Sequence, residues 1–171
     1  MNEQPSSLRL FLALWPDDTV RAQLRAARDA WTWPRGATPV HTDKLHLTLH
    51  FLGSVAAERL PELRAGLLHL PMTPFDLRLG RPESWHGGIA VLAPLEEPPA
   101  LLALHAELAQ ALAALGMAPE RRPYRPHVTM ARRADGVALP AQDPVIDWHV
   151  DRYALVESRP DAGYIVLHDD A

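Results

Sequence analysis

The chain has 171 residues, 47% of them hydrophobic, and no cysteine. That length suits one well-packed core rather than two independent ones, and the missing thiols exclude a disulfide framework or a thiolate zinc site. A net charge of −4, from 17 basic and 21 acidic residues, argues against broad, sequence-independent binding to long nucleic acid.

In chain order, the apolar run Leu8–Leu14, ended by Trp15-Pro16, reads as a buried strand. With Arg9 inside it and no basic start or small-residue cleavage site, the run Leu8–Trp15 is neither a membrane span nor a signal peptide, so a soluble, cytoplasmic protein is expected. Asp17 or Asp18 caps a helix running to about Trp31, with Val20, Leu24 and Ala27 at helical spacing. Leu45–Leu52 alternates as a strand and stops at Gly53. Ala56–Leu70 is helical in pattern, with Pro61 in its first turn or interrupting it. Phe75–Leu79 and Ile89–Leu92 form a strand pair around a loop holding Trp85, Gly87 and Gly88. Pro98–Leu115 is the strongest helix, stopped by Gly116. A Pro- and Arg-rich turn leads to a strand at His127–Ala131, then a loop with Pro140 and Pro144. Two strands, about Trp148–Glu157 and Tyr164–His168, close the chain. This mixed order predicts an α+β fold rather than a doubly wound sheet.

Two strings share one pattern of His, apolar, Thr, apolar: His46-Leu47-Thr48-Leu49 and His127-Val128-Thr129-Met130. Alternate side chains of a strand point the same way, so each His and its Thr project from one face about 6.5–7 Å apart. Chance would supply such a string only about 0.1 times in a chain of this composition, as a crude false-positive estimate. Each string follows a helix and a proline-containing turn, a faint internal duplication that would set the two face to face across a cleft. Around the second lie Arg121, Arg122, Arg125, Arg132 and Arg133 with no acidic residue among positions 121–133, a local positive patch suited to one compact anion. Arg121, Arg122 and Arg133 individually read as solvated loop residues. Lys44 is the only lysine, which reads as compositional bias.

The segments His46-Leu47-Thr48-Leu49-His50-Phe51-Leu52-Gly53 and Arg125-Pro126-His127-Val128-Thr129-Met130-Ala131-Arg132 resemble the paired signatures of the two-histidine phosphoesterases. Within them the likeness is to the bacterial and archaeal RNA 2′,3′-cyclic phosphodiesterases, historically called 2′-5′ RNA ligases. Arg9–Leu14 resembles the opening strand of that family, and Val156-Glu157-Ser158 with Gly163-Tyr164 its closing strands. His50 departs from the apolar residue common at its position. The resemblance implies a single bilobal, pseudo-symmetric domain over 1–171, with two antiparallel sheets flanking a central cleft and helices outside. It also implies metal-independent hydrolysis of RNA 2′,3′-cyclic ends to 2′-phosphates, with no cofactor. Some members join or cleave 2′-5′ linkages. RNA ends or short oligonucleotides would be the partners of a monomer.

Opening a cyclic phosphodiester needs an activated water, a protonated leaving alkoxide and stabilised charge on phosphorus. Histidine serves the first two steps because its ordinary pKa of about 6.5 allows either protonation state near neutrality. By the resemblance, His127 is the general base that activates water and His46 the general acid that protonates O3′. The residues alone leave the reverse assignment open. Thr48 and Thr129 would donate to the non-bridging oxygens. Arg132 resembles a family arginine that would pair with phosphate, but strict alternation from His127 puts it on the opposite face, so it needs a bulge or the strand end. His50 shares the parity of His46, with a cleft, second-layer or exposed position equally open to it. Tyr124, Trp33 and Phe11 are candidates for base stacking or for packing. His69, His105, His149 and His168 have no motif context. Two rivals remain. One is a metal-dependent phosphohydrolase using the i, i+4 pair His46 and His50, which a strand would hold about 13 Å apart. The other is a non-catalytic RNA-end-binding module, which has no use for a complete His/Thr quartet.

Overall fold

The computed structural model describes residues 7–141 and 145–167. Its elements are β1 (Ser7–Leu14), α1 (Asp18–Asp29), β2 (Thr38–Pro39), β3 (Leu47–Ala56), α2 (Leu60–Leu67), β4 (Phe75–Trp85), β5 (Ile89–Pro94), α3 (Pro99–Ala114), β6 (Val128–Arg132), β7 (Ile146–Val150), β8 (Ala154–Arg159) and β9 (Gly163–Leu167). The strands run β7-β4-β5-β6-β3-β1-β8-β9, with β2 beside β6, and the pairings are antiparallel. In the middle, β3 and β6 share the single register pair Leu47–Val128. Two halves, β7-β4-β5-β6 with the short β2 and β3-β1-β8-β9, thus meet at one point of a continuous sheet, each with one His-x-Thr string at the start of the strand by which it meets the other. The α+β class stands, with the two expected sheets joined there. No helix among the described residues is long and apolar enough to cross a membrane.

Local chemistry explains the helices. The Asp17 carboxylate accepts from the Val20 backbone N–H at 2.8 Å, capping α1, whose Val20, Leu24 and Ala27 are buried. Pro61 lies in the first turn of α2, where it has no hydrogen bond to lose. Leu101, Leu104, Leu108 and Leu112 form the buried stripe of α3. The apolar stripes of α1, α2 and α3 join one large core with strand residues such as Leu12, Leu79 and Leu92. Truncating one of these fully buried leucines to Ala costs about 2–5 kcal/mol. A separate small cluster, Phe11, Ala13 and Val156, lies on the other face of β1.

Several predicted boundaries move. The segment read as one strand over Trp148–Glu157 breaks at 151–153 into β7 and β8, which pair with β4 and β1 in opposite halves. Alternation reports that a segment is extended, not which neighbour it joins. The hairpin of β4 and β5 is longer than expected and turns at 86–88, where Gly87 and Gly88 take positive φ of 85° and 77°. At Gly88 it is this left-handed backbone that favours glycine, since the atom closest to an added Cβ, an Asp135 carboxylate oxygen at 2.8 Å, ends a side chain that can move aside. β3 continues past Gly53 to Ala56, and the short β2 was not foreseen. Pro144 and His168 lie outside the described residues.

Candidate active site

His46 and His127 stand immediately before β3 and β6. Extending the Leu47–Val128 register by one residue each way sets His46 across from Thr129 and Thr48 across from His127. Directly opposed Cβ atoms lie about 5 Å apart and diagonal ones about 7–8 Å, so the two imidazoles face each other diagonally with a hydroxyl beside each.

The two histidines are held alike. Nδ1 of His46 lies 2.6 Å from the Lys44 carbonyl and Nδ1 of His127 lies 2.7 Å from the Arg125 carbonyl, in each case two residues upstream. A carbonyl only accepts, so Nδ1 carries the proton in both neutral rings and Nε2 is left as the working atom. His46 Nε2 is 2.8 Å from Thr48 Oγ1, which donates to it in that tautomer. Phe11, Trp15 and Tyr164 surround the His46 ring at centroid distances of 4.8, 5.8 and 5.5 Å, and Trp85 covers His127 at 4.4 Å.

These walls set the electrostatics. Burial pushes the His46 imidazole down to about 4; Arg21, His127 and Arg132 add to the drop, and the Lys44 carbonyl opposes it. Burial likewise lowers His127, with Arg125 and Arg132 adding to the effect and the Arg125 carbonyl and Glu83 opposing it. Both rings are therefore neutral near pH 7 in the empty site, and an anion is the partner that would restore a charge to one of them.

Bulges decide which neighbours join the histidines. Along β6, Val91 faces Thr129 while Ala90 faces Ala131, so Met130 is an extra residue whose carbonyl accepts from the Val40 N–H at 2.8 Å. The inserted residue reverses the alternation and returns the exposed Arg132 to the face of Thr129. Its charge reaches both histidines. In β3 the same shift falls at Leu49, since Leu12 faces His50 and Ala13 faces Thr48. His50 is thereby turned to the core side: it is 5% exposed, its Nε2 donates to the His105 carbonyl at 2.8 Å, and it stacks on the His105 ring. The parity that put His50 with His46 does not hold, and the two cannot share a metal ion. The outward place falls to Phe51, 68% exposed, five residues after His46 as Arg132 is after His127.

Among the described residues no group of three or more His, Cys, Asp or Glu is placed to hold a metal ion. Tyr124 packs on His105 at 3.8 Å, and its hydroxyl donates to the Thr48 carbonyl at 2.8 Å. Trp33 stacks on Trp31, and Phe11 is buried against His46. Sequence reasoning missed Trp15, Trp85 and Tyr164. Trp15 carried a signal in continuing the alternation of Phe11 and Ala13, and Tyr164 stood within the closing-strand likeness.

A family model described as the 2′-5′ RNA ligase superfamily matches residues 16–162. The RNA 2′,3′-cyclic phosphodiesterase of Escherichia coli is 34% identical over 153 residues, covering 87% of this chain and 83% of that protein. The enzyme of the same name from Thermus thermophilus is 34% identical, covering 88% and 82%. The crystal structure of E. coli LigT complexed with 3′-AMP superposes with a TM-score of 0.85 at 29% identity, over 95% of this chain and 97% of that one.

Proposed function

Because the chain belongs to the 2′-5′ RNA ligase superfamily, we propose that it is an RNA 2′,3′-cyclic phosphodiesterase whose two histidines perform the hydrolysis. The observation that carries this reading is the symmetric pinning of His46 and His127 by the carbonyls two residues upstream, which aims both Nε2 atoms from facing strands.

In the proposed reaction Thr48, Thr129 and Arg132 hold the cyclic phosphate between the rings. His127 Nε2 takes a proton from water, the water oxygen bonds to phosphorus, the P–O3′ bond breaks, and O3′ receives its proton from His46 Nε2. The product is a 2′-phosphomonoester with a free 3′-hydroxyl. The bound monoanion supplies the charge that raises His46 from its low resting value. In the empty site His46 is held far down, so its protonation waits for substrate. Replacing water by the 5′-hydroxyl of a second RNA gives the reverse-type reaction, in which P–O5′ forms as P–O3′ breaks and a 2′-5′ linkage results. The acting unit in this reading is one copy of the chain, residues 1–171 as one bilobal domain, working in the cytoplasm on RNA ends or short oligonucleotides.

The test is incubation with an RNA oligomer ending in a 2′,3′-cyclic phosphate in excess EDTA, alongside His127→Ala. Wild type should convert that end to a 2′-phosphomonoester, and the variant should lose roughly 10²–10⁴-fold in kcat, the usual worth of a positioned acid or base. Turnover that returns only with a divalent ion would sink the two-histidine mechanism. A substrate with sulfur at the 3′ bridging position needs no proton on departure, so it should rescue His46→Ala and not His127→Ala.

A further inference from the structure

The cleft is flanked by two recesses of opposite electrostatic character. One, of about 500 Å³, adjoins His46 and is lined by Trp15, Arg21, His41, Asp43, Lys44 and Tyr164 among others. The other, of about 380 Å³, adjoins Trp85 beside His127 and includes Arg81, Arg125 and three carboxylates, Glu83, Glu96 and Glu97. The first thus carries two fixed cations against one carboxylate, and the second two against three. A polyanion leaving the cleft is favoured over the first and repelled by the second.

The first recess is also built as a continuation of the His46 site. Trp15 and Tyr164 are walls of both. Arg21 is fixed by donating to the carbonyls of Thr42 and Leu45 at 2.8 and 3.0 Å, and its guanidinium lies 4.9 Å from the Trp15 ring centre. Lys44 is different. Its backbone carbonyl holds His46, while its exposed ammonium lies over the Tyr164 ring at 5.2 Å. A chain that elsewhere uses arginine has here its one compact, freely rotating point charge.

We propose that this recess binds the penultimate nucleotide of the RNA, with Lys44 pairing the phosphodiester on the 5′ side of the terminal nucleotide. When Lys44 swings to that phosphate it uncovers the Tyr164 face for the neighbouring base, exchanging a cation–π contact for base stacking. RNA lying over the His46 half places the terminal ribose, and hence O3′, on the side of His46. Water then enters from the side of His127. This rests on the reading of the site as one for RNA 2′,3′-cyclic ends, and it makes the enzyme prefer an oligomer to a cyclic mononucleotide.

The experiment compares kcat/KM for a 2′,3′-cyclic mononucleotide with that for a dinucleotide bearing the same end, in wild type, Lys44→Gln and Arg81→Gln. In parallel, the affinity of each protein for the 2′-phosphate dinucleotide is measured by calorimetry. Lys44→Gln should lower the dinucleotide-to-mononucleotide ratio about three- to tenfold, as expected for loss of one exposed charge-assisted phosphate contact. It should also flatten the salt dependence of dinucleotide binding by about 0.7 in log–log slope, the contribution of one phosphate contact to single-stranded nucleic acid. Arg81→Gln, in the other recess, should leave both unchanged. An unchanged ratio in Lys44→Gln, or a drop in Arg81→Gln instead, would overturn the proposal. If wild type hydrolyses neither substrate, the hydrolytic reading fails, and dinucleotide affinity with its Lys44 dependence still decides the fate of the recess.

Discussion

Replacing Tyr124 by Phe isolates one tether between the two halves of the site. Tyr124 precedes His127 by three residues, and its hydroxyl donates to the Thr48 carbonyl at 2.8 Å, so one side chain links the entry to β6 with the motif on β3. Burial raises its pKa further, so the hydroxyl stays a donor throughout the working pH range. Phe keeps the stack on His105 and removes only that bond. The net loss is about 0.5–1.5 kcal/mol if water takes over the carbonyl and about 1–3 kcal/mol if it stays unpaired. For a domain of this size, at about 2–4 °C per kcal/mol, that lowers Tm by roughly 1–6 °C in the first case and roughly 2–12 °C in the second. A misplacement of about 1 Å at an active site costs roughly 10²-fold, and a few tenths of an ångström at Thr48 should therefore cost less than tenfold in kcat with KM little changed. Thermal denaturation followed by circular dichroism, with steady-state kinetics on a cyclic mononucleotide, measures both. An unaltered Tm and kcat would refute the tether, whereas a loss beyond 10³-fold would place Tyr124 in the chemistry itself.

Three further outcomes are expected. Thr129→Val should lower kcat by roughly 10–10³-fold, as for loss of a donor to developing charge, and Thr129→Ser should recover most of it; equal activity of the two variants would remove Thr129 from the phosphate site. Because both histidines titrate below their ordinary value in the empty site, kcat/KM should peak on the acid side of about pH 6.5, while the descending limb of kcat lies at higher pH because bound anion favours imidazolium. A kcat/KM optimum above neutrality would contradict this. Stability should fall on acidification between about 6.5 and 4, because the unfolded chain takes up protons that the half-buried His46 and His105, each held down to about 4, do not. Urea unfolding at pH 7, 5.5 and 4.5 tests this, and His105→Gln should flatten the slope.

Much of the site was legible because its signal is local. A strand repeats every two residues, so His46-x-Thr48 and His127-x-Thr129 declare a shared face without reference to any partner, and Asp17 caps α1 through a bond to a residue three positions on. The same periodicity failed wherever a neighbouring strand inserted a residue. Bulges at Leu49 and Met130 turned His50 into the core and returned Arg132 to the cleft, because register belongs to a pair of strands and not to either one. The break between β7 and β8 has the same origin, since an extended segment carries no mark of which half it will join. The recess beside His46 brings together Trp15, Lys44 and Tyr164 from three distant stretches of chain. Its charge, its aromatic wall and the depressed histidine it borders arise from burial and proximity, which only the folded arrangement creates.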